Sequence, residues 1–195
     1  MMRQGWSIAL LFFVLVGCAK EKEKEKGWVS FPVVIYTDAA MVATPELEAD
    51  FREALNFWER NAGRPLFDYR GIWQGSQPYS GSPERPASIM ANVLFYQNPW
   101  PFGASTAGIT TTLSTNEGVQ GSLVMINPGV SICSGNCEGA TFLTSQRKLL
   151  AHELGHFIGL GHTGDPADIM YPSLAPGGSL ESSAINRAAL LRAVN

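Results

Sequence analysis

The chain contains three histidines, and all of them fall in one stretch, His152-Glu153-Leu154-Gly155-His156-Phe157-Ile158-Gly159-Leu160-Gly161-His162. On a helix, His152 and His156 stand four residues apart, so both imidazoles project from one face and can grip a single ion. Glu153 is next to the first of them, where its carboxylate can reach a metal-bound water without ligating the metal itself. Gly159 can adopt a positive φ, end the helix and turn the chain so that His162 arrives as a third nitrogen. Three neutral nitrogens leave a fourth tetrahedral position for water, which marks a catalytic rather than a structural zinc site.

This stretch resembles the long zinc signature of the metzincin metallopeptidases, His-Glu-x-x-His-x-x-Gly-x-x-His, matched at every fixed position by His152, Glu153, His156, Gly159 and His162. Asp168-Ile169-Met170-Tyr171-Pro172 is similar to the family's Met-turn, with Met170 eight residues past the third histidine as in the matrixin-like branch. The resemblance implies zinc held by His152, His156 and His162, with Glu153 as general base on water and then general acid to the leaving amine. It also implies an α+β fold: a twisted mixed five-stranded sheet, three main helices, and a zinc cleft between a larger N-terminal and a small C-terminal subdomain. A protein or peptide substrate would lie extended along an edge strand at Gly108, Ile109 and Thr110. Tyr171 and Pro172 would flank it, and the wall of the pocket after the scissile bond would run from Pro172 to Leu174.

The sequence departs from family patterns in places. Pro172 stands where astacin-like and serralysin-like members carry a tyrosine ligand, and Leu174 stands where many matrixins have tyrosine. There is no fourth histidine for a second zinc. The sequence leaves a calcium site possible but unsupported, because the aspartates are scattered and form no recognisable loop. The short segment before the first strand leaves no room for a propeptide with its cysteine switch.

Around this chemistry the pattern predicts the elements that must position it. Phe31–Tyr36 is β-branched and reads as a first strand. From Pro45 to Arg60, Leu47, Phe51, Leu55 and Trp58 recur at helical spacing, with Thr44 as N-cap and Gly63 beyond the end. Leu66 to Ile72 reads as a second strand and 73–88 as a loop. Ile89 to Tyr96 reads as a strand buried on both faces, Gly108 to Leu113 as an edge strand, and Leu123 to Ile126 as another. A helix is expected from Ser145 to Ile158, capped by Thr144, and a last one from Ser182 to Val194. The order suggests a mixed sheet with helices packed on it.

The N-terminus reads differently. Arg3 precedes an apolar run from Trp6 to Gly17. As a helix it would span about 18 Å against a hydrocarbon core of about 30 Å, too short to cross and suited to a signal-peptide core. Its end, Leu15-Val16-Gly17-Cys18, resembles the bacterial lipobox, which implies acylation at Cys18. Ala19-Lys20 and the Glu-Lys alternation of 21–26 follow, a solvated tether. Residues 1–17 are thus expected to be a signal peptide, 18–26 a lipidated tether and 27–195 the catalytic domain. The expected location is the bacterial cell envelope, and the outer membrane where the cell has two, since Ala19 is not the aspartate of inner-membrane retention.

A formal charge of −3, without clustered Lys or Arg, argues against nucleic acid. Cys133 and Cys137 bracket Ser-Gly-Asn and read as a local disulfide outside the cytoplasm; a metal there would need two further ligands. A monomer is expected. The main expectation is a membrane-tethered zinc endopeptidase. The alternatives are an inactive tethered protein that binds a peptide or glycan, and a metallohydrolase acting on cell-wall peptides. Against the first, an abandoned site has little reason to keep Glu153 beside all three ligands.

Overall fold

The computed structural model describes residues 27–82, 91–135, 137, 143–174, 180 and 183–195. The signal segment, Cys18 and its tether, Ile89, Met90 and Ser182 lie outside the described residues. Strand β1 (Val33–Thr37) is followed by a 3-10 turn at Ala40–Val42, helix α1 (Pro45–Ala62), β2 (Phe67–Ile72), β3 (Asn92–Tyr96), β4 (Gly108–Thr115) and β5 (Gly118–Ile126). Two short strands, β6 (Ile132–Cys133) and β7 (Thr144–Ser145), then lead into α2 (Gln146–Phe157), and α3 (Arg187–Val194) closes the chain.

The main sheet has the order β2-β1-β3-β5-β4. Its first four strands run parallel, and β4 alone is antiparallel, paired to β5 from Gly108 opposite Ile126 to Thr115 opposite Gly118. This is the expected α+β arrangement of a mixed five-stranded sheet with three helices. Gly118, at φ 126°, supplies the backbone geometry that a short hairpin between β4 and β5 needs. β4 is therefore an edge, as its weak alternation and Thr-rich composition suggest.

Both sheet faces are covered. Ile35, Leu94, Val124 and Ile126 face α1 and α2 in the larger core, together with Phe51, Trp58 and Leu154. Val93, Phe95, Leu123 and Met125 form a second cluster on the other face. Three consecutive buried residues in β3, Val93 to Phe95, show why that strand reads as a continuous apolar run.

Helix α1 starts at Pro45 as expected and runs two residues past Arg60, to Ala62. Thr44 accepts from the Leu47 amide, Pro45 opens the first turn, and Gly63 ends the helix at φ 70°. Strand β5 starts at Gly118 rather than Leu123, and the starts of the other two helices also move. Thr144 does not cap α2; it pairs with Ile132 in the β6–β7 ladder, and Ser145 takes the cap position without a side-chain hydrogen bond. Helix α3 starts at Arg187 rather than at 182, because Asn186 supplies the cap by accepting from Ala189, while Ala184 is held in a bridge to Asp168.

Candidate metal centre and cleft

Helix α2 carries the site and is held against α1 at close range. The indole N–H of Trp58, fully buried, donates to the carbonyl of Ala151 at 2.7 Å. Gly155 sits where a β-carbon would run into both Met170 Sδ and the Trp58 ring, so its bare Cα is what allows Met170 to pack beneath the helix. Neither close approach has a signature in the local sequence.

The start of α2 is anchored separately. Cys133 and Cys137 are joined by a disulfide. Gly135, inside that loop, donates its amide to Asp50 of α1 at 2.8 Å, and Asp50 in turn pairs with Arg147 in the first turn of α2. The carboxylate of Asp50 is wholly buried, so these partners supply the hydrogen bonds that water cannot.

The three histidines converge. His156 Nε2 lies 3.2 Å from His152 Nε2 and 3.1 Å from His162 Nε2. The opposite ring nitrogens are occupied: His152 Nδ1 donates to the carbonyl of Ile169 and His156 Nδ1 to that of Leu160, each at 2.7 Å. Those bonds leave bare lone pairs at Nε2 of His152 and His156, which cannot bond each other and call for a shared cation. Nitrogens at the corners of a tetrahedron with zinc bonds of about 2.0–2.1 Å would stand about 3.3–3.4 Å apart. The observed spacing fits zinc, and the carbonyls that fix both ring orientations are the partners a metal-ligating histidine needs.

Charge is suppressed at these rings. Burial lowers the pKa of His152 to about 4, with the neighbouring His156 and His162 adding to the effect against the Ile169 bond. Burial also lowers that of His156. Both shifts favour the neutral ring, the form a metal ligand requires. His162 is exposed, brought over by the turn after α2, where Gly159 adopts φ 99°.

Glu153 does not point into open solvent. Only 3 % exposed, it accepts from the Thr110 hydroxyl at 2.7 Å through Oε2, and burial pushes its pKa up to about 7 despite that bond. Met170 is buried at the centre of a turn in which Asp168 accepts from the Met170 amide, while Thr163 donates to the Met170 carbonyl. The adjoining Ile169 carbonyl is the one that orients His152, so this turn supports the ligand as well as packing beneath it.

A cleft of about 1340 Å³ runs past these groups. Gly108, Ile109 and Thr110 form one wall and Pro172, Ser173 and Leu174 another. Tyr171, expected beside the substrate, does not line the cleft; the turn that buries Met170 directs Pro172 there instead. Sequence reasoning also missed the far end. Gly27 accepts from the Val119 amide at 3.2 Å, and Trp28 donates from its indole to the Phe157 carbonyl at 2.6 Å while its ring packs on Phe157. These contacts place 27–29 along the cleft, a position that no local pattern announces.

A comparison with protein families matches the model described as matrixin to residues 84–185, just over half of the chain and inclusive of every histidine and the Met170 turn. No curated protein matches the chain.

Proposed function

Because this chain belongs to the matrixin family of zinc metallopeptidases, we propose that it is an endopeptidase in which His152, His156 and His162 hold one zinc ion and Glu153 is the general base. The observation that carries the reading is the convergence of three Nε2 atoms beside a buried carboxylate in an open cleft. Zinc bound there supplies a Lewis acid that acidifies water and polarises a carbonyl.

The chain's own groups do the rest. β4 pairs with β5 on one side, and its other edge lines the cleft with main-chain donors and acceptors that a peptide can meet as an added strand. That pairing sets the scissile bond beside Glu153, whose carboxylate takes a proton from the attacking water and passes it to the departing amine. Leu149, Pro172 and Leu174 line the neighbouring part of the cleft, an apolar surface suited to an apolar side chain after the cleaved bond. The substrate is therefore a protein or peptide in extended form.

The reading extends to location. We place the enzyme on a bacterial membrane through a lipid at Cys18, supported by the sequence Leu-Val-Gly-Cys after a short apolar run. Among the described residues no helix is long and apolar enough to cross a membrane. Radiolabelled palmitate incorporated by the wild type and lost in Cys18→Ala would support the anchor; equal labelling of both would refute it.

The catalytic reading is tested by zinc titration and turnover together. One zinc per chain is expected, with peptide cleavage abolished by a chelator and restored by added zinc. Cleavage that persists in the chelated protein would overturn the assignment.

A further inference from the structure

We propose that Thr110 and Gly108 are positioning residues for Glu153, so that the strand which receives the substrate also aims the base. Thr110 acts through its hydroxyl and Gly108 through its lack of a side chain. This rests on the preceding reading of Glu153 as the base and goes beyond the main-chain role expected for these two residues.

Positions two apart on a strand share a face, and in β4 the residues 108 and 110 turn toward α2 while Ile109 packs with the second core cluster. The Thr110 hydroxyl lies 2.7 Å from Glu153 Oε2 and 2.9 Å from the Glu153 backbone carbonyl. Its single proton is shared between, or alternates between, these two acceptors of the same residue, and the shorter distance is to the carboxylate, which draws Oε2 toward β4. The other carboxyl oxygen lies over Gly108. A β-carbon there would stand 2.6 Å from Oε1 and 2.9 Å from both Cδ and Cγ. A larger residue at 108 forces a shift, and the atoms it meets are the end of the Glu153 side chain, the part freest to move.

The hydroxyl of Thr110 holds one carboxyl oxygen, and the missing side chain of Gly108 leaves the space the other occupies. The Thr110 hydroxyl donates to the Glu153 carboxylate, which is buried. A buried carboxylate that loses its donor is no longer held in one direction, and the base loses its set orientation. Because the hydroxyl and the space both belong to β4, a substrate that pairs correctly with this strand meets a base oriented from the same strand.

The test compares Thr110→Val, Thr110→Ser and Gly108→Ala with wild type for kcat, KM and zinc content, and examines the carboxylate in crystal structures of each. Thr110→Val removes the donor at almost constant shape, and its kcat is expected to fall about 10- to 100-fold with KM within about twofold. Thr110→Ser keeps the donor and should retain most of the wild-type kcat. Gly108→Ala should bind zinc normally, lose kcat to a similar extent and show the Glu153 carboxyl group displaced. A Thr110→Val kcat within twofold of wild type, or an equal loss in Thr110→Ser, would overturn the proposal. Wild-type protein that cleaves no peptide would sink the endopeptidase reading instead. The crystal structures would still decide this one, since an unmoved Glu153 in both Thr110→Val and Gly108→Ala contradicts it.

Discussion

Zinc binding at His152, His156 and His162 should be visible as stability, because a ligand that binds only the folded state stabilises it by mass action. At a free zinc concentration one hundred times the dissociation constant the gain is about 2.7 kcal/mol. For a domain of this size that raises the Tm by about 5–10 °C, measured by differential scanning fluorimetry. His156→Ala removes the nitrogen that lies within 3.2 Å of both other ligands, and its zinc-dependent shift should vanish. A shift equal to wild type would place the metal elsewhere. Glu153→Gln should keep the shift, since the carboxylate is not a ligand in this account. At this scale the sequence is most informative: ligands and base lie in one helix and the turn that ends it, so their spacing alone brings them together. The Thr110 bond to Glu153 spans 43 residues of chain, and nothing local betrays it.

Between elements, the tightest constraint is the crossing of α2 over Trp58 and the Met170 turn. Gly155→Ala would raise intrinsic helix propensity by about 1 kcal/mol. The added methyl group, however, meets Met170 Sδ and the Trp58 ring, and overpacking of this kind costs about 1–3 kcal/mol. With the indole itself fully buried and bonded to Ala151, there is little freedom to yield. The net loss is up to about 2 kcal/mol, and the Tm is expected to fall by as much as about 8 °C. Gly161→Ala, whose β-carbon would meet nothing within 4 Å, serves as the comparison and should stay within about a degree of wild type. Equal behaviour of the two variants would contradict the close-packing account. Element identities were legible from periodicity and caps, as α1 with Thr44, Pro45 and Gly63 shows. Boundaries set by tertiary pairing were not: Thr144 looks like a cap until β6 lies beside it, and α3 starts late because Ala184 is drawn to Asp168.

Across the whole molecule, Asp50 ties three regions together: α1, the disulfide loop and the first turn of α2. Asp50→Ala leaves the Gly135 amide and the partly buried Arg147 without their shared acceptor, a loss of about 3 kcal/mol. A Tm lower by about 6–12 °C in thermal melts would support this role, and a change below 2 °C would exclude it. The strand order and the run of 27–29 along the cleft are properties of the assembled chain, and composition or spacing says nothing of either. All of this packing holds one arrangement, a strand edge beside the helix that carries His152, Glu153 and His156, and the proposal is that peptide bonds are broken there. The most direct measurement incubates zinc-loaded wild type and Glu153→Gln with a broad peptide library and reads new termini by mass spectrometry. The account predicts internal cleavage by wild type, favouring an apolar residue after the broken bond, and a fall of about 10²–10⁴-fold in the variant. Intact peptides after incubation with zinc-loaded wild type, or equal cleavage by both proteins, would contradict it.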